Sequence, residues 1–196
     1  MMAVSATPAL AAGVADQVLV GDSSTAAATE TITDKNPKIR RDIEDGMYIL
    51  VPKLDPNLSL GIAGNSKDAG GNVEVVGESG NLGKAFYVKR YGNTSRYTIV
   101  NNNSGLSLTW DTTRSDVDET HRPASFVTQQ VLNSEQNQQW VIEEMSGGYM
   151  QIRACGTSMV LDLANGLHDE GTDIRVYQKN QTDAQKWILV KLKDLS

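Results

Sequence analysis

Apolar and polar residues alternate with a period of two along much of the chain after Asp45, which predicts short β-strands. Three strands of this kind open three similar stretches of sequence. Each contains one alternating apolar pair: Tyr48 and Leu50, Tyr97 and Ile99, or Met150 and Ile152. Helix-period apolar patterns are scarce and glycine is frequent, so we expect an all-β domain with many turns.

Each of the three stretches closes on a strand that begins with an aromatic residue. The three closing aromatics are about fifty residues apart: Phe86, Trp140 and Trp187. Two further short strands lie between the opening and closing strand of each stretch. One unit of this size cannot bury its apolar face alone, so we predict three four-stranded repeats that share one core.

The first 44 residues differ in composition from the rest of the chain. No Lys or Arg occurs from Met1 to Asp34, and Ala, Ser and Thr dominate, so we expect a disordered tail before a domain spanning residues 45–194. Its triplet Ala9-Leu10-Ala11 resembles a signal-peptidase site, although a plain Ala-rich tail is the alternative. We therefore expect a secreted or extracellular protein.

The net charge of −6 and pI near 4.9 disfavour nucleic acid and anionic lipid as partners. The sequence contains no apolar run long enough to enter and span a membrane. Cys155 is the sole cysteine, and the two histidines, His121 and His168, lie far apart in sequence. We therefore expect no disulfide, no metal site and no cofactor.

A Gln-x-Trp motif recurs in register near the end of each predicted repeat. It is complete at Gln185-Lys186-Trp187 and Gln138-Gln139-Trp140 and decayed at Lys84-Ala85-Phe86. Together with Leu161-Asp162-Leu163 upstream, this pattern resembles the ricin B-type lectin family over the whole predicted domain. The resemblance implies a β-trefoil fold and binding of a saccharide, of galactose type or from a plant or host polysaccharide.

A saccharide ring needs an aromatic plate for its C–H face and fixed polar groups for its hydroxyls. The resemblance assigns Asp162 as the charged acceptor and Tyr177 as the exposed plate, with Asn180 and Gln185 as polar contacts or supporting residues. Arg175 stands where the family often has Gln. Its guanidinium could donate to a sugar hydroxyl, or it could pair with Asp162 or Asp173.

The other two repeats lack parts of this set. In the first, the resemblance places Gly61 at the carboxylate position, Val76 at the aromatic and Lys84 at the amide, so we expect scaffold only. In the second, Thr109 and Gln130 replace the carboxylate and the aromatic, which leaves at best a weak site. Within it we expect Asn137 and Gln138 to bond their own loop, and the insertion 111–122 to be a solvated loop.

These features favour a lectin or carbohydrate-binding module with one main site in the third repeat. The alternative is a trefoil scaffold that acts through protein interaction or inhibition without binding sugar. We do not expect an enzyme, because no second acid accompanies Asp162, although the module could be attached to a secreted glycoside hydrolase. The sequence leaves the sugar and the oligomeric state open.

Overall fold

The computed structural model describes residues 42–77, 82–117 and 123–192. Of the expected tail, only residues 42–44 are among them. The expected signal-like triplet lies outside the described residues, as do residues 118–122 of the polar insertion.

The described residues form strands and short 3-10 helices, without an α-helix. None of these helices is long and apolar enough to cross a membrane. The strands are β1 (Gly46–Pro52), β2 (Ser59–Ile62), β3 (Val73–Val76), β4 (Phe86–Arg90), β5 (Tyr97–Asn101), β6 (Ser107–Val117), β7 (Pro123–Gln130), β8 (Trp140–Glu144), β9 (Met150–Ala154), β10 (Met159–Leu163), β11 (Ile174–Gln178) and β12 (Trp187–Lys191).

Six of these strands close into a barrel. Each pairs antiparallel with the next in the order β1, β4, β5, β8, β9, β12, and β12 returns to β1. Closure leaves no free edge strand within this ring. The fold is therefore an all-β, β-trefoil-like barrel.

The remaining strands form hairpins that lie together beside the barrel. β2 pairs with β3, β6 with β7, and β10 with β11. β11 also pairs with β7, and isolated bridges join Asn72 to Thr128 and Glu74 to Asp173. Each hairpin therefore contacts the other two.

The core is built from the apolar positions of the alternating strands. Phe86, Trp140 and Trp187 are fully buried and belong to one cluster, so the three closing aromatics lie in the same core. The indole of Trp187 donates to the carbonyl of Leu161 at 3.3 Å, so its polar atom is satisfied inside the barrel. Truncating one buried aromatic of this kind to alanine costs about 3–5 kcal/mol of stability.

Residues 111–117 of the polar insertion form a strand, not the loop that their composition suggested. β6 continues to Val117, and after a register shift between Trp110 and Ser115 it pairs with the start of β7. Threonine and valine suit an extended backbone because their β-branched side chains disfavour helix, and the returning strand supplies backbone hydrogen bonds. Pairing with β7 thus makes this segment a strand, although its polar composition predicted a loop.

Among the described residues, contacts with the barrel already occur at Asp42 and Ile43, ahead of the expected boundary at Asp45. The backbone N–H of Ile43 donates to the hydroxyl of Tyr97 at 2.9 Å, and the Ile43 side chain packs against the core. Asp42 pairs with Arg90 at 3.0 Å.

Candidate functional site

Asp162 and Arg175 face each other across the β10–β11 hairpin. The alternation along both strands sends Leu161 and Val176 into the core, so the opposite face carries the polar pair. Arg175 Nε donates to Asp162 Oδ1 at 2.8 Å. Of the roles open to Arg175, pairing with Asp162 is the one that the structure contains.

Asp162 is 2% exposed, and each of its carboxylate oxygens already accepts a hydrogen bond. Oδ1 receives the Arg175 bond, and Oδ2 accepts from Gln185 Nε2 at 3.1 Å. Burial raises the pKa of the Asp162 carboxyl, while Arg175 and Gln185 act in the opposite direction. The expected sugar acceptor is therefore engaged within the protein.

Tyr177 is 4% exposed, so the expectation of an exposed aromatic plate was wrong. It shares a face of β11 with Arg175, two residues earlier, and the guanidinium carbon lies 4.3 Å from the centroid of the Tyr177 ring. This separation is typical of a cation–π contact. The side chain that pairs with Asp162 thus also covers the aromatic ring.

Asn165 completes the environment of Arg175, and the sequence analysis missed it. Its Oδ1 accepts from Arg175 Nη1 at 3.2 Å, and its backbone adopts a left-handed conformation with φ of 58°. Asn is the non-glycine residue that tolerates this region best, and here it precedes Gly166. The Asn-Gly pair after a strand was the available signal for a turn beside the site.

Gln185 is fully buried and supports the site from behind. Besides its bond to Asp162, Nε2 donates to the carbonyl of Gln178 at 3.0 Å, and Oε1 accepts from the backbone N–H of Asn180 at 2.9 Å. Gln185 was expected to be either a polar contact or a supporting residue, and these bonds make it a supporting residue. The Asn180 side chain is exposed and accepts from the Thr182 backbone at 3.1 Å and hydroxyl at 2.8 Å.

A cleft of about 330 Å³ brings together four of the five expected residues, all except Gln185. Asp183, which the sequence analysis did not single out, lies on its rim and accepts from Lys186 at 2.7 Å and Lys53 at 3.0 Å. The bonds from Lys186 and Lys53 lower the pKa of Asp183. The cleft is lined by Leu54, Asp162, Asn165, Gly166, Arg175, Tyr177, Asn180, Thr182, Asp183 and Ala184.

The β6–β7 hairpin carries a comparable cleft of about 370 Å³ without an aromatic lining residue. Thr109 occupies the place of Asp162, and Gln138 Nε2 donates to its hydroxyl at 3.1 Å. Gln138 also donates to the carbonyl of Val131 at 2.8 Å, which confirms that it bonds its own loop. Asn137 instead reaches the Trp110 carbonyl on β6, at 3.4 Å.

The β2–β3 hairpin has no space at the corresponding position. A Cβ on Gly61 would clash with the side chain of Val76, so Val76 fills the volume that a carboxylate would need. This packing agrees with the expectation that the first repeat is scaffold. Across the described residues, no group of three or more His, Cys, Asp or Glu side chains is arranged to hold a metal ion.

The sequence matches the family described as "Ricin-type beta-trefoil lectin domain-like" over residues 85–177 and 136–195. The two overlapping matches together span more than half of the chain. The chain therefore belongs to this family. A comparison with curated protein sequences finds no match.

Solved structures of similar fold include a designed protein, an enzyme and a lectin. ThreeFoil, a designed threefold symmetric protein, has a TM-score of 0.67 and 26% identity over 76% of this chain and 100% of its own. An exo-β-1,3-galactanase from Clostridium thermocellum has a TM-score of 0.66 and 21% identity, over 80% of this chain but only 31% of the enzyme. The Rhizoctonia solani agglutinin has a TM-score of 0.65 and 19% identity, over 76% and 97%. These likenesses support the β-trefoil fold.

Proposed function

We propose that the protein binds a saccharide in the cleft at the β10–β11 hairpin. The observation that carries this proposal is the convergence of Asp162, Arg175, Tyr177 and Asn180 on one cleft, as the family resemblance implied. A carboxylate, an aromatic ring and an amide within one concave surface are the groups that a sugar's hydroxyls and C–H face require. Gln185 would hold the carboxylate in place.

We further propose that the domain consists of three four-stranded repeats, of which the third carries the main site. Corresponding positions of the hairpins support this division, since Gly61 pairs with Glu74, Thr109 with Thr128, and Asp162 with Arg175. In the first repeat, the side chain of Val76 fills the position that corresponds to the Asp162 carboxylate. The second has a cleft without an aromatic plate, so we expect one sugar per chain rather than two or three.

The alternative function is a scaffold for protein interaction or inhibition. The low exposure of Asp162 and Tyr177 favours it, because neither side chain presents much surface to a ligand in this conformation. A scaffold would act through its loops and would tolerate loss of Tyr177 without loss of function. Sugar binding that depends on Tyr177 would exclude this alternative.

We propose a binding module rather than an enzyme, acting outside the cell either alone or attached to a secreted glycoside hydrolase. The galactanase from Clostridium thermocellum, of which this chain spans 31%, supports the second arrangement. The acidic charge of the chain argues against nucleic acid as the partner.

The experiment that tests the proposed function is a screen of the full-length protein against immobilised glycans, with Tyr177→Ala as the paired variant. We expect wild-type binding to a defined group of glycans and its near loss in the variant. Gln130→Ala, at the corresponding position of the second hairpin, is the matched control and should bind as the wild type does. No binding by the wild type to any glycan would contradict the proposal and leave the scaffold function.

A further inference from the structure

We propose that Arg175 closes the saccharide site and that a ligand must displace its guanidinium in order to bind. This inference rests on the proposed function and concerns the regulation of the same site. It starts from the position of one side chain, which touches both groups that the sugar would use.

Three contacts hold the guanidinium in the cleft. Nε donates to Asp162, Nη1 donates to Asn165, and the guanidinium lies over the ring of Tyr177. Only 13% of the Arg175 side chain is exposed, although it projects from a strand toward an open cleft. The three contacts come from β10, the turn after it and β11, so they fix the side chain from separate directions.

The guanidinium competes with a sugar at two points. A sugar ring packs its C–H face on an aromatic ring, and the stacked guanidinium already occupies one face of Tyr177. A sugar hydroxyl would donate to Asp162, and Oδ1 already accepts from Nε. One movement of the Arg175 side chain would release both groups, and no backbone hydrogen bond of β11 depends on that side chain.

The second hairpin has no counterpart of Arg175. Thr128 takes the corresponding position on β7, opposite Thr109, and a short hydroxyl side chain cannot reach across the cleft. The second cleft is therefore not closed in this way, but it lacks the aromatic ring. The cleft at the β10–β11 hairpin contains the proposed binding groups together with the side chain that blocks them.

Displacement lowers the apparent affinity by the fraction of molecules in which the site is open. Minor conformations of folded proteins are commonly populated at about 0.1–10%, so an open fraction at the upper end of that range would weaken binding on the order of tenfold to a hundredfold. Arg175→Gln removes the guanidinium, so it should return that factor by uncovering the Tyr177 ring. Its shorter, uncharged amide can still donate to Asp162 when no ligand is bound, which keeps the buried carboxylate from being left unpaired.

The test compares the wild type, Arg175→Gln and Arg153→Gln by calorimetric titration with galactose, N-acetylgalactosamine, soluble β-1,3-galactan and galacturonic acid. Arg153 is the matched control: it lies on β9, pairs with Glu143 at 3.2 Å and is absent from the cleft lining. We expect Arg175→Gln to bind at least one neutral probe about tenfold or more tightly than the wild type, and Arg153→Gln to match the wild type.

Three results would overturn the inference. If the wild type binds and Arg175→Gln binds equally or more weakly, Arg175 does not close the site, while the proposed function stands. If the wild type prefers galacturonic acid and the variant loses it, Arg175 is a ligand contact. If neither protein binds any of these probes or any glycan of the screen, although both melt at similar temperatures, the proposed function fails together with the inference.

Arg175→Lys provides a second, independent comparison. Lysine keeps the positive charge, but its ammonium cannot stack on the ring or bond Asp162 and Asn165 in one plane as a guanidinium does. We expect its affinity for the neutral probes to lie between those of the wild type and Arg175→Gln. Binding weaker than that of the wild type in both variants would contradict the closing role.

Discussion

Gln185 donates a hydrogen bond to the buried carboxylate of Asp162 at 3.1 Å. Gln138 makes the corresponding bond to the hydroxyl of Thr109, also at 3.1 Å. Both amides also donate to a backbone carbonyl 7 residues before them and accept from a backbone N–H 5 residues before them. Gln185 and Gln138 therefore support two different polar groups in the same way, a carboxylate in the third hairpin and a hydroxyl in the second.

We expect Gln185→Ala and Gln138→Ala to destabilise the fold by similar amounts, roughly 2–4 kcal/mol each, because each leaves buried polar partners unsatisfied. Denaturant unfolding would measure both. Only Gln185→Ala should also weaken saccharide binding, since only it supports Asp162. Equal effects of the two substitutions on binding would contradict the assignment of the main site to the third hairpin.

The stability of the domain should depend on pH through Asp162. Burial raises the pKa of its carboxyl above the ordinary value of 3.8, although Arg175 and Gln185 oppose the change. The folded protein then binds this proton more tightly than the unfolded chain does. The stabilising contribution of the Asp162 carboxyl is therefore complete below its ordinary pKa of 3.8 and is lost as pH rises through the higher pKa of the folded state.

Asp162→Asn, which stays neutral at every pH, should accordingly gain stability relative to the wild type between about pH 3 and pH 7. Thermal unfolding of both proteins across this range would measure the difference. If the variant instead loses relative stability as pH rises, the ion pair with Arg175 outweighs burial, and the pKa of Asp162 is lowered.

Removal of residues 1–40 should leave the melting temperature nearly unchanged, because their composition is that of a disordered tail and the contacts of Asp42 and Ile43 with the barrel are kept. A chain that starts at Asp45 should melt lower. It lacks the packing of Ile43 and its bond to the Tyr97 hydroxyl, which together contribute about 1–2 kcal/mol. A large loss already in the first truncation would show that the tail supports the fold.

Much of this fold could be predicted from the period-two pattern and the recurring closing aromatics. Trp140 and Trp187, two of the recurring closing aromatics, are fully buried, since burial of large apolar groups dominates the energetics of folding. The continuation of β6 to Val117 could not be predicted in this way. A polar strand is stabilised by the partner strand that pairs with it, and sequence alone does not show that partner.

Four of the five expected residues line the cleft, but the sequence did not predict the conformation of the site. Asp162 and Tyr177 line one cleft, as the resemblance implied. Pairing of Arg175 with Asp162 was one of the roles left open for Arg175, and the structure contains this pair. It did not reveal that the same guanidinium covers the aromatic ring, because stacking depends on side-chain conformation rather than on spacing. Arg175, the side chain that we propose closes the site, is thus the residue whose role the sequence left open.

The most direct test of the single saccharide site is calorimetric titration of the wild type, Tyr177→Ala and Gln130→Ala with the glycan that the screen identifies. We predict one sugar bound per chain by the wild type, a loss of about 1–3 kcal/mol of binding free energy in Tyr177→Ala, and little change in Gln130→Ala. A stoichiometry of two or three, or a loss in Gln130→Ala as large as that in Tyr177→Ala, would contradict the account.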